Sequence, residues 1–449
     1  MRAAFSSVAI IGLLMFLFPG TVPVLAQPAS HSTDSQLPRL ELAALQEAAI
    51  NADPRFRELR LQQTRTDLTV ANIQAERLPS IAAEAQTQYQ SDVPTPPSGF
   101  PGLPPGQPLF RVAKGTVDAS LRIDQRILDR TIPTRLAVER AQLAEDQARV
   151  RSTLFALRQE VNDAFFTAAL LQERAHALSA TIADLELQLR ETSARVREGA
   201  ALATDASAVE ATLLQRQQDD EELRANRATA LARLSDLTGR AITDADELGV
   251  PDLQAAVADA SRDGTTARAR PEYEQFARAR DRLARQQDAA TAREQPRVSA
   301  FARVGVGRPG LNFLSDQVES YGLAGLQLRW TAWTWGAAAR EREALGIQRE
   351  IVAADEGAFT KGIGRSADAD RLAIDRLDRA MVLDQRIVTL REEIVRTTGI
   401  RFREGVATAS EYLDRSTELL AARFTRVGHG IELAEARARF LTTLGLEVR

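Results

Sequence analysis

The chain of 449 residues contains no cysteine, so no disulfide holds the fold and no cysteine can carry a lipid or bind a metal. The three histidines, His31, His176 and His429, lie far apart in the sequence, and we predict no metal site. The sequence shows no nucleophile with a neighbouring base and no phosphate-binding loop. We therefore expect neither enzymatic activity nor a cofactor.

Aromatic residues amount to only 5% of the chain, and the formal net charge at pH 7 is -4. So few aromatic residues argue against large compact cores. The abundance of Ala, Leu, Arg, Glu and Gln instead favours long helices that pack through narrow apolar stripes. The weak negative charge gives no indication of nucleic-acid binding.

Long hydrophobic runs are also absent, with one exception near the N-terminus. Arg2, the apolar run 8–18 and the small-residue site ending at Ala26 predict a cleaved signal peptide over residues 1–26. An N-terminal membrane anchor is the alternative, but eleven apolar residues are few for a membrane span. A flexible polar linker, residues 27–39, would follow. No later segment approaches the roughly 18 uncharged apolar residues of a transmembrane helix, so membrane insertion would require β-strands.

Two short motifs occur twice at the same spacing. Arg197-Glu198-Gly199 returns as Arg403-Glu404-Gly405, and Leu237-Thr238-Gly239 returns as Thr443-Leu444-Gly445, each 206 residues later. A period this long excludes a solenoid and indicates a duplicated half-protein. The predicted halves are residues 40–239 and 271–445, joined by a segment at 240–270 and followed by a short tail at 446–449.

Each half contains two segments in which apolar and polar residues alternate, as they do in β-strands. The predicted strands cover about 81–90, 117–126, 298–306 and 322–330, and Phe301 is an exception on a polar face. An apolar face opposite a charged face fits outer-membrane strands, although half-buried soluble strands give a similar pattern. The duplication favours the membrane interpretation. The charged residues predicted to line a barrel lumen are Glu84, Arg122, Asp124, Arg303 and Arg329.

A helix of unusual length follows each pair of strands. We predict long helices at 131–197 and 337–403 and return helices at 204–238 and 410–444. At 1.5 Å per residue each long helix would extend for about 100 Å.

Both long helices show the spacing of three and four residues that marks a coiled-coil seam. The predicted seam of the second helix contains Leu377, Ala380, Leu383, Ile387, Leu390 and Ile394. Gly357, Gly362 and Gly364 predict a weak or kinked segment in that helix, and the sequence 428–430, Gly-His-Gly, predicts an interruption of its return helix.

Four strands cannot close a barrel, and hydrocarbon does not tolerate open strand edges. Several chains must therefore contribute, and a trimer would supply about twelve strands, enough to leave an aqueous pore. The predicted fold is mainly α with a small β-barrel portion. Duplicated strand hairpins would form a trimeric 12-stranded barrel that continues into a tunnel of long coiled-coil helices.

The chain resembles the TolC family of outer-membrane efflux and secretion channels. The resemblance is carried by the duplicated strand pairs, by the segment 123–129, Ile-Asp-Gln-Arg-Ile-Leu-Asp, and by the second tip with its continuation through residues 408–414. It implies a homotrimer in the outer membrane, in contact with its lipid, that extends as a tunnel into the periplasm. The segment 240–270 would form a short equatorial region. Specificity for the transported substrate would reside largely in the pump.

The resemblance also implies partners and a constriction. The repeated tips, Arg197-Glu198-Gly199 and Arg403-Glu404-Gly405, would dock a periplasmic adaptor, or membrane fusion protein, that connects to an inner-membrane transporter. Glu411, Asp414 and Phe402 match the constriction of the family, although Ala407 stands where an Arg is used there. In a trimer Glu411 and Asp414 would form two rings of three charges, and two like charges about 6 Å apart would repel by roughly 3 kcal/mol at an effective dielectric constant near 20. The spacing of these residues is also compatible with a simpler role, in which Glu411 only caps a helix.

Three further points concern the surface and the class of protein. Trp330, Trp333 and Trp335 predict an aromatic belt at the membrane interface, with a small soluble cluster as the alternative. The acidic run 219–222 is expected to be a solvated helix face.

A periplasmic coiled-coil adaptor or scaffold is the alternative function, but two copies of a lipid-compatible strand pair favour a channel.

Overall fold

The computed structural model describes residues 39–94, 112–262, 269–312 and 317–448. The predicted signal peptide and nearly all of the predicted linker lie outside the described residues. Within those ranges, no helix is long and apolar enough to cross a membrane.

Long α-helices and one four-stranded sheet make up most of the described chain. In chain order, the elements are β1 (Leu40–Glu41), α1 (Leu42–Ala52), α2 (Pro54–Ala75), β2 (Ser80–Tyr89), β3 (Gly115–Leu128), α3 (Thr131–Arg197), α4 (Ala203–Thr238), β4 (Leu248–Gly249), α5 (Gln254–Arg262), α6 (Pro271–Arg293), β5 (Arg297–Arg308), β6 (Glu319–Arg329), α7 (Ala337–Arg403) and α8 (Ala409–Leu444).

The two long helices, α3 and α7, contain 67 residues each and coincide with the predicted ranges. The helix α7 continues through Gly357, Gly362 and Gly364, where a weak or kinked segment is predicted, and the interruption predicted for α8 is wrong. A Cβ at any of these three positions would meet nothing within 4 Å. The return helix α8 is likewise continuous through residues 428–430. A Cβ at Gly430 would make an ordinary van der Waals contact, 3.6 Å from the terminal methyl group of Met381.

The main core lies where α1, α3, α4, α7 and α8 meet the segment 240–262. Phe165 and Phe166 are fully buried there and contact each other edge to face, with ring centroids 5.2 Å apart. The segment 240–262 is packed into this core, because Leu248 and Leu253 are buried. The Gln172 side chain holds Leu248 in place by accepting from its backbone N–H at 3.0 Å and donating to its carbonyl at 3.1 Å.

The sheet has the strand order β2-β3-β5-β6 and is antiparallel throughout. All four adjoining helices, α2, α3, α6 and α7, connect to the same end of the sheet. This end is called the helix end below. A β-bulge between Arg126 and Leu128 shifts the register of β3 against β5 near that end.

The predicted seam of α7 is only partly buried. Leu377 packs into the core, but Leu383, Ile387, Leu390 and Ile394 are exposed. The residues that α7 buries follow a different heptad register, with steps of three and four residues, as in the list Ala367, Asp370, Ile374, Leu377, Asp384, Val388, Thr398 and Phe402. Beyond Leu377 the predicted seam is offset by one residue, since Leu383 and Ile387 directly precede the buried Asp384 and Val388. It therefore lies about 100° around the helix from the contact with α8.

We predict that Gly445 is more important for stability than Gly199, although both have a positive φ, +84° and +72°. At Gly199 an alanine Cβ would meet nothing within 4 Å, so only the left-handed conformation costs free energy, about 1–2 kcal/mol. At Gly445 the Cβ would also lie 2.6 Å from the backbone nitrogen of Arg270. Thermal unfolding should show a larger loss for Gly445→Ala than for Gly199→Ala. Equal losses would contradict this packing.

Candidate functional site

The antiparallel register places all five residues predicted to line a lumen on one face of the sheet. Arg122 lies directly opposite Arg303, and Glu84 lies opposite Ser120 on the same side. The other face is apolar. In register across all four strands it carries Ile81, Ile123, Ala302 and Ala324. The large apolar side chains of this face are exposed, including Leu121, Val304 and Leu326.

Arg303 is the centre of an ion network on the charged face. Its Nη2 lies 2.6 Å from an Asp118 carboxylate oxygen and 3.8 Å from Glu84, and its Nε donates to the Ser120 hydroxyl at 2.8 Å. The Tyr321 hydroxyl donates to the same Asp118, and the guanidinium carbon lies 5.8 Å from the Tyr321 ring centroid. Tyr321 was not predicted from the sequence, because its contacts depend on the register of β5 against β6.

Two aromatic rings on this face lie over glycines of the neighbouring strand. Tyr321 is directly opposite Gly305, and Phe301 is directly opposite Gly325. A Cβ at Gly325 would come within 2.9 Å of the Phe301 ring, and one at Gly305 within 2.8 Å of the Tyr321 ring. This cross-strand packing explains why Phe301 departs from the polar pattern, since an aromatic side chain can cover the exposed backbone of a glycine.

The three tryptophans lie in the connection between β6 and α7, at the helix end of the sheet. Trp330, Trp333 and Trp335 are exposed, and Trp333 contacts Trp335 edge to face. The Trp330 indole N–H donates to the carbonyl of Glu294 at 3.1 Å. Exposed indoles at one end of an apolar sheet face are compatible with the predicted interfacial belt, which stays a prediction.

Both predicted tips form the same helix-ending motif. At the end of α3, the N–H of Ala200 donates to the carbonyl of Arg195 at 2.8 Å, and the N–H of Gly199 donates to the carbonyl of Val196 at 3.1 Å. At the end of α7, Val406 and Gly405 make the two equivalent hydrogen bonds. This pattern is a Schellman motif, in which glycine takes the left-handed position. The two predicted docking triplets, 197–199 and 403–405, are exposed.

Arg195 joins the two tips. Its guanidinium donates to the carbonyl of Phe402 at 3.2 Å and to that of Ala200 at 3.3 Å. Sequence analysis missed this residue because the contact bridges positions 207 residues apart.

The predicted constriction residues do not share one surface. Glu411 and Asp414 lie on the exposed side of α8, whereas Phe402 is only 4% exposed and stacks on Tyr412 with ring centroids 5.8 Å apart. The Phe402 ring packs inside the tip, and its assignment to the constriction stays a prediction. Burial raises the pKa of the Tyr412 hydroxyl, and the nearby Asp184 carboxylate adds to the shift, so this stack stays uncharged.

The two carboxylates differ in their partners. The N–H of Glu411 donates to the Thr408 hydroxyl at 3.2 Å, and its carboxylate pairs with Arg401 at 3.5 Å. Ala407, which stands where the family uses an arginine, is buried. Arg401 places an arginine beside Glu411 instead. Among the described residues, Asp414 makes no hydrogen bond or ion pair. Its negative charge is the less compensated of the two.

The acidic run 219–222 is only partly solvated. Asp220 is 8% exposed and pairs with Arg224 at 2.5 Å, so the expectation of a fully solvated face is wrong at that position. Glu221 and Glu222 are exposed. In the part of the chain that the structure describes, no three His, Asp or Glu residues are arranged to hold a metal ion.

Residues 45–240 match the family described as outer membrane efflux protein. No sequence of a curated protein matches the chain. Solved structures share its fold. The outer membrane protein VceC from Vibrio cholerae is 14% identical, with a TM-score of 0.63 over 91% of this chain and 97% of that one.

Two further channel structures have similar sequence identities, TM-scores and coverage. The MtrE outer membrane channel of Neisseria gonorrhoeae is 18% identical, with a TM-score of 0.63 over 91% of this chain and 89% of that one. The CmeC outer membrane channel of Campylobacter jejuni is 12% identical, with a TM-score of 0.61 over 90% and 85%. The fold is thus that of outer-membrane channel proteins. The match of residues 45–240 to the efflux family confirms the resemblance read from the sequence.

We predict that Glu411 and Asp414 contribute to cation selectivity. Replacing both with Ala should lower the selectivity in single-channel recordings, and Asp414→Ala alone should have a larger effect than Glu411→Ala, because Arg401 compensates Glu411. The control is Glu221→Ala with Glu222→Ala, which removes the same formal charge from an exposed part of α4. A reversal potential that shifts equally in the control would place the acidic pair outside the pore.

Proposed function

We propose that the chain forms an outer-membrane export channel. Three copies join their sheets into a 12-stranded barrel in the outer membrane, and their long helices continue as a tunnel into the periplasm. The observation that carries this proposal is the sheet, which combines an exposed apolar face, a charged face and two open edges. The match to the outer membrane efflux family and the shared channel fold support it.

The open edges support assembly from several copies. Among the described residues, β2 pairs only with β3 and β6 pairs only with β5. The outer edges of β2 and β6 therefore present unpaired backbone N–H and C=O groups. Such groups are not tolerated in hydrocarbon, and pairing β6 of one copy with β2 of the next would satisfy them.

The helices offer a second contact between copies. At about 100° per residue, the exposed side chains of Ile347, Ile351, Leu372, Leu383, Ile387, Leu390 and Ile394 project within a narrow sector of α7. The sector lies beside, and does not include, the residues that α7 buries. A stripe of this length is the kind of surface that a neighbouring helix covers in a coiled coil.

The proposal extends to partners at the far end of the helices. The exposed tips at residues 197–199 and 403–405 would bind a periplasmic adaptor, and the adaptor would connect the channel to an inner-membrane transporter. In such an efflux or type I secretion system this chain acts as a passive conduit. The proposal assigns it no catalytic step.

The lipid-facing assignment is tested by a pair of adjacent residues in β3. Leu121→Arg, on the apolar face, should cost about 2–4 kcal/mol if it lies near the bilayer midplane and should reduce insertion into the outer membrane. Arg122→Leu, on the charged face, should insert more readily and alter conductance. The assays are the amount of detergent-resistant trimer in the outer-membrane fraction and single-channel recording. Equal tolerance, or extraction by salt alone, would favour a soluble adaptor instead.

The contact between copies is tested by another adjacent pair. Leu383 and Val382 are 65% and 72% exposed, but only Leu383 lies on the apolar stripe of α7. Leu383→Glu should bury a charge between copies and reduce the trimer in native electrophoresis, whereas Val382→Glu should leave it intact. Equal trimer yields would show that the stripe is not an interface.

A further inference from the structure

Four arginines surround a cavity of about 290 Å³ at the helix end of the sheet. They come from four different elements: Arg126 from β3, Arg135 from α3, Arg297 from β5 and Arg329 from β6. Register places Arg126, Arg297 and Arg329 on the charged face, the same face as Arg122 and Arg303. These four residues with their cavity are called the arginine pocket below.

Two of the arginines share the available carboxylates. Glu76 pairs with Arg126 and lies 2.9 Å from Arg135, and Asp129 lies 3.7 Å from Arg126. Asp129 also accepts a hydrogen bond at 2.9 Å from the N–H of Thr131, the first residue of α3. Its charge therefore also compensates the positive end of a 67-residue helix.

The other two arginines have no such compensation. Arg297 and Arg329 lie directly opposite each other in the ladder between β5 and β6. In the described part of the chain, neither side chain makes a hydrogen bond or an ion pair, and the Nε of Arg297 is buried without an acceptor. Like charges directly opposite destabilise a sheet, and a buried donor without a partner is rare in native proteins.

The rest of the charged face is built differently. Arg122 binds both carboxylate oxygens of Asp124, at 2.8 and 3.1 Å, and Arg303 pairs with Asp118. On the described part of the charged face, the arginine side chains without an acidic partner are therefore Arg297 and Arg329, both in the pocket. Four guanidinium groups share two carboxylates there, which leaves two positive charges for a ligand.

We propose that the arginine pocket binds a small soluble dianion that carries a phosphate group or paired carboxylates. A guanidinium group presents two parallel N–H donors that match the oxygens of such an anion, and Arg297 and Arg329 would bind it from opposite sides. The proposed ligand is a dissolved anion and not a lipid headgroup, because three of the four arginines lie on the charged face of the sheet. Binding is independent of channel formation. A channel could use the pocket to retain or select anionic solutes, and only this use rests on the proposed function.

The test is thermal unfolding of the purified full chain in neutral detergent, with inorganic phosphate or with sodium chloride at equal ionic strength. Phosphate should raise the midpoint of wild-type protein, since a ligand of the native state stabilises it. Arg297→Gln combined with Arg329→Gln should unfold at a higher temperature without phosphate, because the cross-strand repulsion is gone, and should lose most of the phosphate-dependent shift. Arg329→Gln alone, at an exposed position, provides the comparison if the double variant does not fold.

Arg122→Gln is the matched control, because it removes one positive charge from the same face outside the pocket. Phosphate also stabilises proteins generally, because it is excluded from their surface. The test therefore compares the phosphate-dependent shift of the unfolding midpoint between variants. A phosphate shift that Arg122→Gln retains and Arg329→Gln loses would support the pocket. Equal shifts in all variants, no shift in wild type, or stabilisation by vesicles of anionic lipid but not by phosphate would overturn it. None of these outcomes affects the channel proposal, which Leu121→Arg tests separately.

Discussion

Backbone groups at the edges of β2 and β6 set the condition on which the rest of this architecture depends. A sheet of four strands with one exposed apolar face can be placed in hydrocarbon only if both edges are paired. In the proposed assembly, neighbouring copies would pair these edges and would also bring their long helices side by side. The exposed stripe of α7 would then be covered by the same assembly that closes the sheet. One requirement, paired backbone groups, would thus account for features of both the sheet and the helices.

Local chemistry made the long elements predictable from the sequence. The ends of α3 and α7 follow from glycines that close Schellman motifs at residues 199 and 405, and the strand faces follow from strict alternation. The resemblance to a channel family rested on the duplication of these local signals. Such features depend on near neighbours in the sequence.

What the sequence did not predict depends on contacts between distant segments. The glycines of α7 do not break the helix, and α6 packs beside this part of it, with Tyr273 and Phe276 against Phe359. Phe402 could be matched to a constriction by its position, yet only the fold shows that its ring stacks on Tyr412. Arg297 and Arg329 became neighbours through the register of two strands joined by a loop, which alternation alone does not specify.

The spacing of the exposed stripe on α7 also determines how neighbouring helices can run. From Ile347 to Ile394 the exposed apolar side chains span 47 residues in 13 turns, or about 3.6 residues per turn. This is the value of a straight helix, so the stripe hardly winds around the axis. Helices packed along it would run almost parallel to one another. Each copy would then present the same side of α7 to its neighbour along the whole stripe.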